Sequence, residues 1–183
     1  MLNVNKQILI GFAGGAGVGK TTTAEWFVEQ LKFVRLSYAA PLKASLSILT
    51  GLPLKHFLDI ELKEKEIPGL NISPRVMMQK CGTEFVRGMI HPDFWLWRMR
   101  HSISDHSNRN IVIDDIRFDN EAQLVRDNGG SVIHLNREFN TPTKHTNHKS
   151  EQQLYYQEND IVVNSLESES VTAQHIWKLL NQK

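Results

Sequence analysis

Residues 14–23 read Gly-Gly-Ala-Gly-Val-Gly-Lys-Thr-Thr-Thr, four glycines in six positions followed at once by a lysine and three threonines. Before them stands Gln7–Ala13 (QILIGFA), an apolar run that reads as a buried strand. After them Ala24, Phe27, Val28 and Leu31 recur at the spacing of one helix face. Strand, glycine turn and helix are the context in which G-x-x-x-x-G-K-[ST], here Gly14, Gly19, Lys20 and Thr21, holds phosphate. Glycines let the backbone approach an anion with successive N–H groups turned inward, and the helix N-terminus adds partial positive charge. In this reading Gly14, Ala16, Gly17, Val18, Gly19, Lys20, Thr21 and Thr22 hold a nucleoside triphosphate. Lys20 reaches the β- and γ-phosphates, and the Thr21 hydroxyl helps hold Mg²⁺. A turn that binds nothing leaves the full motif unexplained.

Strand and helix signals then alternate. Residues 33–38 (FVRLSY), 110–116 (NIVIDDI), 131–136 (SVIHLN) and 160–164 (DIVVN) are further strand candidates. Helices are expected from Phe118, Ala122 and Val125 on one face, and from Ala173, Ile176, Trp177 and Leu180 near the C-terminus. Residues 41–107 show no convincing strand. Pro74 suits a first helical turn, with Met78, Cys81, Phe85 and Met89 as an apolar stripe, and a second helix is expected after Pro92. This order predicts one α/β domain, a mostly parallel five-stranded sheet with helices on both faces. The core spans 1–40 and 108–183, interrupted by a helical insertion over 41–107.

Composition narrows the partners. A formal charge of +1 argues against bulk binding to nucleic acid or to an anionic membrane. The single cysteine, Cys81, excludes an internal disulfide and suits a reducing compartment. The N-terminal run lacks the pattern of a cleaved leader, so the cytoplasm is the expected location.

Asp114 and Asp115 end an apolar strand, where an acid beside a phosphate loop contacts Mg²⁺ directly or through water. Asp115 lies nearer the strand end and is taken as the metal contact with Thr21; Asp114 is taken as facing the nucleotide. Spacing leaves that assignment open, and one of the two serves equally well as a turn or cap residue. Arg117 follows closely enough to reach an acceptor phosphate, or to form a surface ion pair. A GTPase is excluded by the lack of Asn-Lys-x-Asp and of Asp-x-x-Gly at the end of the acidic strand.

Taken together, GGAGVGKTTTAEWF, AAPLK, QKCGTEFVR with PDFWLWR, VIDDIRFDNEAQLVRDNGGSVIHLNR, and HTNHKSEQ followed by DIVVNS resemble the phage-type deoxynucleoside monophosphate kinases of the P-loop nucleoside monophosphate kinase superfamily. The resemblance implies a P-loop kinase fold with a helical acceptor-binding insertion and a short lid, and transfer of the ATP γ-phosphoryl group to a (deoxy)nucleoside monophosphate with Mg²⁺. It also implies that Lys43, Arg75, Gln79 and Arg87 grip the acceptor, that Trp95 offers a stacking surface, and that Asn164 lies near the adenine. Arg137 would open a lid over about 137–150 that includes Lys144. Lys20, Arg117, Arg137 and Asp115 would carry the chemistry. His145 and His148 form H-x-x-H, but the surrounding polar turn lacks further soft ligands, so lid organisation with Glu151 is the expected role. The partner is a small molecule, not nucleic acid or membrane, and a homodimer is compatible. Two alternatives stay open at this level: a kinase for another phosphate monoester, of the animal phosphomevalonate type, and a nucleotide-binding regulatory module. The arginine array argues against the module.

Overall fold

The computed structural model describes residues 7–136, 154, 156–165 and 168–182. They divide into two compact units, one holding the residues up to Leu36 and from Arg100 onward, the other Ser37–Met99.

In the first unit, β1 (Leu9–Ala13) is buried along its whole length, as an unbroken apolar run at the centre of a parallel sheet should be. It is flanked by β3 (Ile111–Ile113) and β4 (Ser131–Asn136); β2 (Val34–Leu36) and β5 (Ile161–Asn164) complete the order β2-β3-β1-β4-β5. Every pairing is parallel, with Gly11 opposite Ile113 on one side and Val132 on the other. β2 and β3 are shorter than the runs 33–38 and 110–116. The β3 ladder stops at Ile113, just before Asp114 and Asp115 at the carboxyl edge.

Alternation along β1 sends neighbouring side chains to opposite faces. Ile10 and Phe12 pack with Ala24 and Phe27 of α1 (Lys20–Leu31) and with Ala173 and Ile176 of α7 (Glu169–Leu180). Phe27 is the hub of that layer, its ring 6.0 Å from Phe12, 5.4 Å from Phe33 and 6.3 Å from Trp177. Gly11 faces the other way. A Cβ there would lie 2.4 Å from Ile116 Cδ1 and 2.9 Å from Val125 Cγ2, so α6 (Asp119–Asp127) lies close over that face.

The second unit is helical throughout its described elements: α2 (Ala40–Thr50), α3 (Lys55–Leu58), a 3₁₀ turn (Leu62–Glu64), α4 (Pro74–Gln79), a π-helix (Lys80–Ile90) and the start of α5 (Phe94–Asp105). Pro74 opens α4 as expected, after Ser73, whose hydroxyl accepts the Val76 N–H. Gly82 is the buried point of the π-helix. A Cβ there would meet Leu42 at 2.8 Å, and its carbonyl accepts the Trp95 indole N–H at 2.9 Å. The apolar stripe expected through Phe85 and Met89 is not buried: these residues are 52% and 78% exposed. Winding by i→i+5 hydrogen bonds carries side chains round at a different rate from 3.6 per turn, which moves them off the inward face.

One buried ion cluster in the first unit had no signal in the sequence. Asp160 accepts from Arg126 Nε at 2.9 Å, Arg126 Nη2 at 2.7 Å and the Gln157 N–H at 3.0 Å, and pairs with His134 Nε2 at 2.8 Å. It ties α6 and β4 to the approach of β5. Among the described residues no helix is long and apolar enough to cross a membrane.

Burial by itself would raise the Asp160 pKa, but Arg126, the Gln157 amide and His134 together outweigh it and hold the carboxyl below its ordinary value. A depressed folded-state pKa contributes stability above the unfolded value of 3.8, and that stability is lost as pH falls through the lower folded value. Asp160→Asn is therefore expected to cost about 3–5 kcal/mol at neutral pH in urea denaturation, by leaving Arg126 without its countercharge. The deficit should begin to narrow as pH falls below 3.8 and close below the lower folded value, where the parental carboxylate itself becomes protonated.

Candidate active site

The turn from β1 into α1 takes its shape from glycines. Gly14 has φ +133°, and a Cβ on it would lie 2.4 Å from the Leu135 carbonyl oxygen of β4. Gly19 caps α1 in the left-handed region at φ 93°, with its carbonyl accepting the Thr23 N–H at 2.8 Å. Lys20 opens the helix. It is 8% exposed, and its Nζ donates to the carbonyls of Gly14 and Gly15, each at 2.7 Å. The ammonium is thus held over the loop while the Thr21 and Thr22 side chains are exposed at the helix start. Ala16, Gly17 and Val18 complete the turn, with Val18 buried in the core beneath.

Ser165, just after β5, and Glu169, the first residue of α7, both meet this loop. Ser165 Oγ donates to the Val18 carbonyl at 3.1 Å, and Glu169 Cγ lies 3.2 Å from where a Cβ on Gly19 would be. Sequence reasoning placed only Asn164 here; it is exposed at the end of β5, opposite Asn136. Ser165 closes the stretch DIVVNS but was given no role of its own, and Glu169 carried no motif.

Beside β1, the strand β3 delivers the acidic pair to the same carboxyl edge. Asp114 is 6% exposed, and its carboxylate lies 3.9 Å from Arg35, whose guanidinium also pairs with Glu25 of α1 at 3.0 Å. Val112, two residues before Asp114, packs in the layer of α1, and strand alternation carries Asp114 toward that face. Asp115 is half-buried. Arg117 follows in a connection fixed by Glu121, whose buried carboxylate accepts the N–H groups of Arg117 at 2.8 Å and Phe118 at 3.1 Å. This is the glutamate half of a capping box. It escaped notice because Phe118 stands where a serine or threonine would advertise it.

The remaining candidates lie in the second unit. Arg75, Gln79 and Arg87 follow one another along α4 and the π-helix. Arg75 is ion-paired to Glu64, and Arg87 donates to the Pro92 carbonyl at 3.3 Å. The Gln79 Nε2 is buried and has no hydrogen-bond partner among the described residues. Lys43 is half-buried on α2, and Trp95 is buried on α5 at 9% exposure. Arg137 and the segment expected as a lid, with Lys144, His145, His148 and Glu151, lie outside the described residues. Among the described residues no group of three or more His, Cys, Asp or Glu side chains forms a metal cluster.

A glycine loop on the central strand of a parallel five-stranded sheet, with helices on both faces, is the α/β fold of P-loop kinases. Two solved structures share that architecture. TT1252 from Thermus thermophilus superposes with a TM-score of 0.55 at 14% identity, covering 97% of this chain and 98% of that one. A Chloroflexus aurantiacus J-10-fl protein provisionally described as a kinase gives 0.53 at 13% identity, covering 98% and 99%. At such identities they speak for the fold alone.

The family follows from sequence. The model of deoxynucleotide monophosphate kinases matches residues 53–172, about two-thirds of the chain. A protein of Acanthamoeba polyphaga mimivirus, provisionally named a deoxynucleotide monophosphate kinase, is 32% identical over 145 residues, 72% of this chain and 75% of its own length. The deoxynucleoside-5'-monophosphate kinase of Escherichia phage T5 is 42% identical over 67 residues, 37% of this chain and 27% of its own. The chain belongs to the deoxynucleotide monophosphate kinase family, and is by class a nucleoside monophosphate kinase acting on a small nucleotide. The matched span begins after the phosphate loop, so the loop is independent support for the same chemistry.

Gly14→Ala is expected to unfold at lower denaturant, by at least about 2 kcal/mol, because both the left-handed backbone and the Leu135 carbonyl reject a side chain. Gly17→Ala meets no atom within 4 Å and is expected to cost only its backbone strain, about 1–2 kcal/mol. Parallel urea titrations of the two variants check the ordering.

Proposed function

We propose that the chain transfers the γ-phosphoryl group of ATP to a deoxynucleoside 5'-monophosphate, giving the diphosphate and ADP. The observation that carries this reading is Lys20, its Nζ suspended between the Gly14 and Gly15 carbonyls at 2.7 Å. A triphosphate entering the loop offers that ammonium charged oxygens in place of neutral carbonyls, a stronger hydrogen bond. The backbone N–H groups of residues 15–21 and the α1 dipole would add to the same field.

The donor set fits a hard divalent cation. Mg²⁺ takes one or two carboxylates together with substrate phosphates and water, not a dedicated cage. The exposed Thr21 hydroxyl and the carboxylates of Asp114 and Asp115 are the groups that would hold it. When bound it would neutralise charge on the transferred group. Buried Asp114, braced by Arg35, is better placed for this task than its half-buried neighbour.

No general base is required, since a monophosphate oxygen is already an anionic nucleophile. That oxygen bonds to the γ-phosphorus as the bond to the β–γ bridging oxygen breaks, and the electron pair leaves on ADP. Arg117, positioned through Glu121, and Arg137 stabilise the moving charge; Lys43, Arg75, Gln79, Arg87 and Trp95 of the second unit bind the acceptor, and Asn164 contacts the adenine. The single cysteine and the near-neutral charge suit the cytoplasm, the host's where the gene is viral.

Lys20→Ala is expected to lower kcat/KM for ATP at least about 100-fold while leaving the fold intact by circular dichroism. Parental turnover in that variant would remove Lys20 from the chemistry. A panel of acceptors with ATP, read by product mass, checks the reading as a whole: deoxynucleoside diphosphates are expected, and product from phosphomevalonate alone would contradict it.

A further inference from the structure

Gly19 is required where it stands for two reasons. Its φ of 93° lies in the left-handed region, and Glu169 Cγ lies 3.2 Å from where a Cβ would be. The glycine brings a freedom with it. Glycine takes positive and negative φ about equally well, so the peptide plane between Val18 and Gly19 can turn over at little cost on the Gly19 side. The residues flanking that plane are held. Val18 is anchored by its side chain, buried in the core, and the Gly19 carbonyl accepts the Thr23 N–H at 2.8 Å in the first turn of α1. What remains to be fixed is the plane itself.

Ser165 reaches that plane. Its Oγ donates to the Val18 carbonyl at 3.1 Å. The serine is itself seated, its own N–H donating to the carbonyl of Asn136, the last residue of β4, at 2.7 Å. No cis peptide bond occurs among the described residues, and in a trans peptide C=O and N–H point in opposite directions. With the Val18 carbonyl turned to Ser165, the Gly19 N–H therefore faces away from Ser165. The two orientations of the plane differ in what they offer an anion. One presents an N–H donor, the other a carbonyl oxygen, which repels phosphate.

We infer that Ser165 is a positioning residue of the phosphate loop: its hydroxyl keeps the Val18 carbonyl out of the cradle and so presents the Gly19 N–H to the phosphate chain of the nucleotide. The inference rests on the function proposed above and deepens it. In this role Ser165 acts through the loop and not on the nucleotide. Without the hydroxyl, the free loop turns the plane over in part of the population, and the incoming phosphates must turn it back. The loss then falls on the phosphates, whatever they are attached to. One hydrogen bond of this kind corresponds to a factor of about 3–10 in an equilibrium.

The test measures calorimetric binding of two ligands to the full chain with Mg²⁺, ADP and inorganic pyrophosphate. Pyrophosphate carries the phosphates without base or sugar, so it separates a role in the loop from a contact with the nucleoside. Ser165→Ala is expected to weaken both ligands about 3–10-fold and by the same factor, with KM for the deoxynucleoside monophosphate held within about twofold. Ser165→Thr, which keeps the hydroxyl, should bind both ligands within about twofold of the parent. Ser165→Cys, similar in shape but a weak donor, should fall with alanine, and stands in for it if that variant does not fold. Parental affinities in Ser165→Ala and Ser165→Cys, a loss confined to ADP, or a threonine variant as weak as alanine overturns the role of Ser165 and leaves the proposed function standing. A parent that binds both ligands but phosphorylates no deoxynucleoside monophosphate overturns the proposed function, and one that binds neither ligand overturns both.

Discussion

Between β1 and α1 the backbone passes so near β4 that a Cβ at Gly14 would lie 2.4 Å from the Leu135 carbonyl oxygen. Only a residue without a side chain fits, and much of the carboxyl edge is arranged around that passage. It lets the loop fold back far enough for Gly19 to cap α1 in the left-handed region and for Lys20 to reach the Gly14 and Gly15 carbonyls. Phe12, just before the turn, and Phe27, two helical turns after it, lock into the same aromatic layer, so the loop is clamped at both ends by the core. The phosphate cradle is in this sense a consequence of parallel strand order, with β1 between β3 and β4.

Charge at that edge is balanced by pairs reaching across elements. Arg35 of β2 joins Glu25 of α1 to the buried Asp114, and Glu121 of α6 spends its carboxylate on the backbone that carries Arg117. A buried carboxylate is unfavourable unless such donors surround it. Asp160 satisfies the same requirement farther from the loop, through Arg126, His134 and a backbone amide. These clusters set where side chains point, and stability follows from the core they rest on.

Local chemistry was legible in the sequence and long-range chemistry was not. Gly14, Gly19, Lys20 and Thr21 could be read because strand, turn and helix are consecutive, and Pro74 marked its helix start for the same reason. β2 and β3 were overestimated, since apolar periodicity does not say where a ladder ends. The stripe through Phe85 and Met89 misled because it assumes 3.6 residues per turn, and nothing in the residues announces i→i+5 winding. Asp160 with His134, and Ser165 with Val18, are separated by 26 and 147 positions, distances that a single sequence does not bridge. Glu121 was within reach, three residues after its cap, but the cap is a phenylalanine.

The central claim is a direct transfer between two bound phosphates, not hydrolysis of one. Phosphorus NMR of the full chain with ATP, Mg²⁺ and a single deoxynucleoside monophosphate follows both partners at once. The account predicts that ADP and the deoxynucleoside diphosphate grow in equal amounts, and that neither appears when the monophosphate is withheld. Inorganic phosphate released from ATP at the same rate with or without the monophosphate would contradict it.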